Sequence, residues 1–197
     1  MKKYYILAFM FLAIAATTPK EQNKTQKALN IGDTAPHFQA KADNGETFDS
    51  QNMLGKQNLV VYFYPAAMSG GCTSQACSFR DEKQSFEELN TTVVGISGDS
   101  VQNLKWFKQS NNLNFTLLAD PDGSIAKSFG VPLRDGGEIV RTIDGKEVKL
   151  VRGVTAARWT FIIDKTGAII YKDTDVNAAK DSSEVLAFLQ QQSSKQN

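Results

Sequence analysis

The chain has two cysteines, Cys72 and Cys77, and both fall in the stretch "CTSQAC". A thiolate is the strongest nucleophile among the common side chains near neutral pH, and two thiols can cycle between dithiol and disulfide. At this spacing the pair reads either as a structural staple or as a redox couple. Within one intact helix the rise between them is roughly 7.5 Å, which with the rotation sets their Cα atoms about 8 to 9 Å apart. A disulfide tolerates a Cα separation of only about 7 Å. Bridging therefore requires the first turn to unwind. A permanent bond over so short a loop would add only about 2 kcal/mol by loop-closure entropy. The spacing favours a bond that is made and broken over a fixed staple.

A redox cysteine needs elements that hold it where the thiolate is favoured. Before Cys72 runs "LVVYFY" (59–64), a continuous apolar stretch rich in β-branched and aromatic residues. It reads as a strand buried on both faces, and Pro65 ends it. From 72 to 89 the pattern turns helical, with Phe79, Lys83, Phe86 and Leu89 at spacings of three and four. Cys72 then opens a helix, where the partial positive charge and free N–H groups of the N-terminus favour a thiolate.

The rest alternates strand and helix. "TVVGIS" (92–97) and "FTLLAD" (115–120) read as strands, and 101–110 as a short helix with Ser100 as N-cap. "DPDGSIAKSFG" reads as a turn and a short helix stopping at Gly130. "EIVRTIDGKEVKLV" alternates around Asp144-Gly145, a hairpin signal. "RWTFIID" (158–164) and "AIIYKD" (168–173) form a second hairpin, and Ser182 or Ser183 opens a last amphipathic helix. The expected fold is α/β: a thioredoxin-like sandwich with a central mixed β-sheet flanked by helices.

Of 197 residues, 41% are hydrophobic and 22% charged, an ordinary composition for one globular domain. The formal net charge of +1, with no basic stripe, argues against nucleic acid as a partner. Lys2 and Lys3 precede an uncharged apolar run (4–16) that is too short to span a bilayer and ends in Ala13-Ile14-Ala15. It reads as a signal peptide (1–16) cleaved near Ala15, against the alternative of an uncleaved anchor. Cleavage would leave no stable membrane insertion and place the chain outside the cytoplasm, in the periplasm. Residues 17–27 read as a flexible linker, 28–192 as the folded domain and 193–197 as a flexible tail.

The segment "YFYPAAMSGGCTSQACSFRDE" resembles the active-site segment of peroxiredoxins, most closely the peroxiredoxin Q or bacterioferritin-comigratory type. "GDTAPHF", "VVGISGDS", "FTLLADPDGSIAKSFGVP" and "RWTFIIDKTG" resemble other segments of that family, so the likeness covers roughly residues 30–190. The resemblance implies a thiol-dependent peroxidase. Cys72 would be the peroxidatic cysteine, which attacks the O–O bond and becomes a sulfenic acid. Cys77 would be the resolving cysteine of the same chain. Arg158 would stabilise the thiolate and polarise the peroxide. Ser69 would hydrogen-bond the peroxide, and Pro65 would shield the thiolate. A thioredoxin-like donor would reset the disulfide. The resemblance implies a monomer and no metal, haem or flavin.

Three features depart from the family pattern. Ser69 stands where Thr is usual, so its rotamer is less fixed. "SGG" at 69–71 replaces "TPG", and Gly70 lacks proline's locked φ, so a looser loop is expected. The stretch from 132 to 158 is longer than the family pattern, and the Asp144-Gly145 hairpin reads as an insertion. Two other functions stay open on the residues: a thiol–disulfide oxidoreductase of exported proteins, whose usual Cys-x-x-Cys differs from the spacing here, and a copper-binding module on the same fold. His37, the single histidine, reads as structural beside Pro36 and Phe38. Arg80 is a lesser candidate for ordering the active-site loop.

Overall fold

The uninterrupted apolar run at 59–64 has a plain structural cause. In the computed structural model, which describes residues 29–196, it forms β3 (Asn58–Phe63) at the heart of a seven-stranded sheet. Side chains alternate across a strand. Leu59, Val61 and Phe63 enter one buried cluster, and Val60, Tyr62 and the following Tyr64 enter the other. The expected signal peptide (1–16) and linker (17–27) lie outside the described residues.

β3 pairs in parallel with β4 (Thr91–Ser97), which pairs in parallel with β5 (Thr116–Ala119). On its other side β3 runs antiparallel to β8 (Trp159–Ile163), whose hairpin partner β9 (Ile169–Asp173) closes that edge. The opposite edge is a hairpin of β1 (Gln39–Ala42) and β2 (Thr47–Asp49), antiparallel to β5. The sheet order is β2-β1-β5-β4-β3-β8-β9. The sequence reading missed the β1–β2 hairpin because its strands are only four and three residues long and largely polar. Asn44-Gly45, with Gly45 at φ 86°, was the available signal.

Helices cover both faces. α1 (Gly70–Asp81), α2 (Lys83–Glu88), α3 (Val101–Ser110) and α5 (Asp181–Gln196) pack against the cluster around Tyr62 and Ile162. The short α4 (Ser124–Ser128) lies on the other face with Phe38 and Phe129. Ser100 caps α3 as expected, its side chain accepting from the Asn103 N–H. Helix boundaries differ from expectation at the end of α1 and at both ends of α5, which begins at Asp181 and not at Ser182 or Ser183. The single helix read over 72–89 is two, divided at Glu82, whose N–H bonds the carbonyls of both Arg80 and Ser78. Phe79 and Phe86, on either side of the break, are buried with ring centroids 5.7 Å apart. α5 runs to Gln196, through residues expected to be a loose tail. Val185 and Leu189 anchor it in the core, and no Gly or Pro interrupts it afterwards.

β6 (Leu133–Ile143) and β7 (Lys146–Ala156) form a separate two-stranded arm, longer at both ends than the sequence pattern showed. Asp144 (φ 51°) and Gly145 (φ 75°) make its turn. The arm folds back onto the end of β4. Gly153 N–H donates to the Gly98 carbonyl at 3.0 Å, and Asn103 Nδ2 donates to the Val151 carbonyl at 2.9 Å. A Cβ at Gly98 would lie 2.1 Å from the Val154 carbonyl oxygen, so only glycine permits this approach.

Candidate active site

The loop from β3 to α1 is built almost entirely on hydrogen bonds to its neighbours. Tyr64 N–H donates to the Ile96 carbonyl at 3.1 Å, continuing the sheet. Pro65, half-buried, has no N–H to extend that pairing. Ala67 N–H donates to Asp99 Oδ2 at 2.8 Å, and the buried Asp99 is itself held by the Ser97 hydroxyl at 2.9 Å. Met68 takes a left-handed φ of 61°, uncommon for a side chain of its kind. Its carbonyl accepts from Arg141 Nε, on the arm, at 2.9 Å. Ser69 stands at the N-cap of α1, but its hydroxyl donates back to the Ala66 carbonyl at 3.0 Å instead of capping the helix. The loop expected to be looser for want of a proline is thus tied at Ala67, Met68 and Ser69.

Cys72 lies in the first turn of α1 and is 1% exposed. Its Sγ sits 3.4 Å from Arg158 Nη2. The register of β3 and β8 explains this meeting. Phe63 pairs with Trp159, so Arg158 arrives at the end of β3 from which the loop leads to Cys72. The other guanidinium nitrogen, Nη1, donates to Gln75 Oε1. Gln75 is fully buried one turn beyond Cys72, and its Nε2 donates to Asp181 Oδ2 at 2.5 Å. The Thr160 hydroxyl, from β8, donates to the same oxygen at 2.8 Å. Burial pushes the Asp181 carboxyl up to about 6, against the lowering effect of those two hydrogen bonds.

Below this layer Tyr62 and Tyr64 form a buried aromatic floor, with Tyr62 stacked on Phe79 at 4.8 Å between centroids. Burial holds the Tyr62 phenol well above its usual value, and the charge of Cys72 adds to that. The phenol therefore stays neutral. Cys77 is half-buried on the same helix, and both thiols are free. With α1 intact between them, their separation exceeds what a disulfide spans.

Of the sequence-predicted residues, Cys72 and Arg158 are brought into contact. Cys77 follows on the same helix, and Ser69 and Pro65 border the loop. Arg80 does not order that loop. It donates to Asp81 Oδ1 at 2.8 Å and to the Asn111 carbonyl at 2.7 Å, with Cys77 beside it. His37 pairs with Asp49 Oδ1 at 2.7 Å. It borders a cavity of about 330 Å³ together with Leu59 and Ile163, at the far end of β3 from Cys72. No trio of His, Cys, Asp or Glu side chains is grouped for a metal among the described residues. No described helix is long and apolar enough to cross a membrane. Sequence reading missed Gln75, Asp99, Arg141 and Asp181. Gln75 had a signal in its three-residue spacing from Cys72. The others come from distant segments with no local mark.

The chain and its fold are similar to those of known proteins. A family model described as the AhpC/TSA family matches residues 31–172. Peroxiredoxin Bcp of Bacillus subtilis (strain 168) is 36% identical over 167 residues, covering 85% of this chain and 99% of that protein. A chloroplastic peroxiredoxin Q of Sedum lineare is 34% identical over 175 residues, 88% of this chain and 85% of the other. Among solved structures, peroxidoxin BcpB from Mycobacterium tuberculosis superposes with a TM-score of 0.67 at 30% identity, covering 81% of this chain and 96% of that one. A cysteine-to-serine mutant of PrxQ from Xylella fastidiosa gives a TM-score of 0.72 at 26% identity, with coverage of 85% and 99%.

Proposed function

Because the chain belongs to the AhpC/TSA family and is a peroxiredoxin, a thiol-dependent peroxidase, we propose a two-cysteine cycle run by Cys72 and Cys77 within one chain. The observation that carries it is the 3.4 Å contact between Cys72 Sγ and Arg158 Nη2 at the start of a helix that also holds Cys77.

The Cys72 thiolate attacks the outer oxygen of a hydroperoxide. The O–O bond breaks, Cys72 becomes a sulfenic acid, and the other oxygen leaves as water or an alcohol after taking a proton. Arg158 is a permanent cation beside the sulfur. It stabilises the thiolate and then the charge that shifts onto the departing oxygen. The loop amides and the Ser69 hydroxyl border the site where the peroxide would sit. The Cys77 thiol then displaces hydroxide from the sulfenic sulfur, giving water and a Cys72–Cys77 disulfide. Because an intact helix separates the two sulfurs, this step unwinds the first turns of α1. A thioredoxin-like dithiol returns both cysteines to thiols and becomes a disulfide itself. Hydrogen peroxide and organic hydroperoxides are the substrates in this reading, a monomer is the working unit, and the export signal read at 1–16 assigns the chain to the periplasm.

The test is peroxide consumption by purified protein supplied with thioredoxin, thioredoxin reductase and NADPH, with insulin reduction measured in parallel. Turnover with peroxide that vanishes in Cys72→Ser is expected, and one equivalent of peroxide should give a Cys72–Cys77 disulfide by mass spectrometry. Amide exchange at residues 73–76 should be faster in the oxidised form. Insulin reduction without peroxide turnover would overturn the cycle.

A further inference from the structure

We propose that Asp181 is a positioning residue for the Cys72–Arg158 pair, acting through the side-chain amide of Gln75. The proposal rests on Cys72 being the reacting thiol. It concerns a residue more than a hundred positions from that thiol, on the first turn of α5.

The chain of contacts has a direction. Gln75 presents its amide oxygen to the Arg158 cation and its amide nitrogen to the Asp181 carboxylate. Turned over, the same amide would set its NH₂ against a guanidinium, donor to donor, and its oxygen against a carboxylate, acceptor to acceptor. The carboxylate of Asp181 and the Arg158 cation therefore fix together which way the amide points. Thr160 holds that carboxylate in place from β8. A carboxylate placed directly on Arg158 would fix the guanidinium equally well but would compete with the thiolate for its charge. The interposed amide holds Nη1 with a neutral acceptor and leaves Nη2 to face Cys72 Sγ at 3.4 Å.

Asp181 is a strange choice for a purely structural position. An acidic residue in the first turn of a helix is favourable when it meets water near the helix N-terminus. This one is 0% exposed, points at α1, and has one carboxylate oxygen, Oδ1, without a hydrogen-bond partner among the described residues. An apolar or amide side chain there would avoid burying a charge. The groups facing it are Gln75 on α1, Thr160 on β8, Asp173 on β9 and Glu184 on α5, with the phenols of Tyr62 on β3 and Tyr171 on β9 nearby. Burial raises its carboxyl, and the two acidic neighbours push in the same direction. Protonating Asp181 gives it a donor, which removes the acceptor-to-acceptor half of the bar to the reversed amide and leaves only Arg158 to orient it.

The test needs no peroxide, so it is separable from the peroxidase reading. The reduced full-length protein is alkylated with iodoacetamide from pH 4.5 to 8.5, and modification of Cys72 is read apart from Cys77 by peptide mass spectrometry. Asp181→Leu is expected to slow alkylation of Cys72 at pH 7.5 about tenfold or more, the scale of a lost hydrogen bond to a charged group, and to leave Cys77 unchanged. Asp181→Asn can still offer an oxygen to Gln75 and Thr160, so it should recover most of the rate. It should also lack one proton-linked fall in Cys72 reactivity that the parent shows around pH 6. If Asp181→Leu fails to fold, the comparison of pH profiles between parent and Asp181→Asn decides alone. Superimposable profiles, or an Asp181→Leu protein as reactive at Cys72 as the parent, would overturn the proposal.

Discussion

Replacing Asp181 by Asn should make the protein more stable at pH 8 and leave its stability unchanged near pH 4. The folded carboxyl keeps its proton up to about pH 6, against 3.8 for the group in an exposed chain. Between these values the folded state binds more protons than the unfolded state, so stability falls as pH rises and is lowest above the folded value. A displacement of about two units corresponds to roughly 3 kcal/mol at ~1.4 kcal/mol per unit. Asn has no proton to lose and never incurs this penalty. Its NH₂ takes the place of Oδ1, which has no hydrogen-bond partner among the described residues. For a chain of this length about 1 kcal/mol moves the melting temperature by roughly 2 to 4 °C, so a gain on the order of 6 to 12 °C at pH 8 is expected. Thermal unfolding of the reduced protein, followed by circular dichroism at pH 4, 6 and 8, measures it. The gain should shrink as pH falls and be absent at pH 4. An Asn variant that is less stable at pH 8, or whose advantage does not depend on pH, would refute the view that a charged Asp181 is held there against its own burial.

Arg158→Met, which keeps the apolar stem of the side chain without the cation, should slow the single-turnover reaction of Cys72 with peroxide by about 10² to 10³, as loss of one oxyanion donor does. A loss of less than threefold by stopped flow would remove Arg158 from the chemistry. Arg141→Ala frees the Met68 carbonyl at a local loss of about 1 kcal/mol, so exchange of the Ala67 and Ser69 amides should rise roughly fivefold and disulfide formation after peroxide should quicken. Unchanged exchange would mean that the arm does not restrain the loop. In Gly153→Ala the new Cβ would meet the Pro121 carbonyl oxygen at 2.1 Å, lifting the arm and exposing its Asp144-Gly145 turn to proteolytic nicking. A variant as resistant as the parent would show that the close approach is not what pins the arm.

Much of the architecture was legible because it is written in short-range patterns. The run at 59–64 announced a doubly buried strand, Ser100 announced a helix start, and Asp144-Gly145 announced a turn; each appears where it was read. The errors share a cause. The β1–β2 hairpin alternates over strands of only four and three residues, too short to stand out, and the break at Glu82 leaves the helical spacing on either side intact. The continuation of α5 depends on an anchor, Val185 and Leu189, that lies before the stretch it stabilises.

The amino-acid sequence by itself determined the pair of cysteines proposed to react. Four residues of helix between Cys72 and Cys77 set both the distance that keeps their sulfurs apart and the unwinding that the proposed disulfide requires, because helix geometry is a property of the local backbone. It also carried the family likeness, which pointed to Arg158. Only the tertiary structure decided what surrounds the thiolate. Cys72 meets Arg158 across 86 positions because β3 and β8 pair in one register. Gln75 meets Asp181 across 106 positions because α5 packs beside α1. The arm reaches Met68 because Gly98 and Gly153 let two backbones touch. Such meetings depend on sheet order and on which buried polar groups find one another when the core closes, and no window of neighbouring residues encodes either.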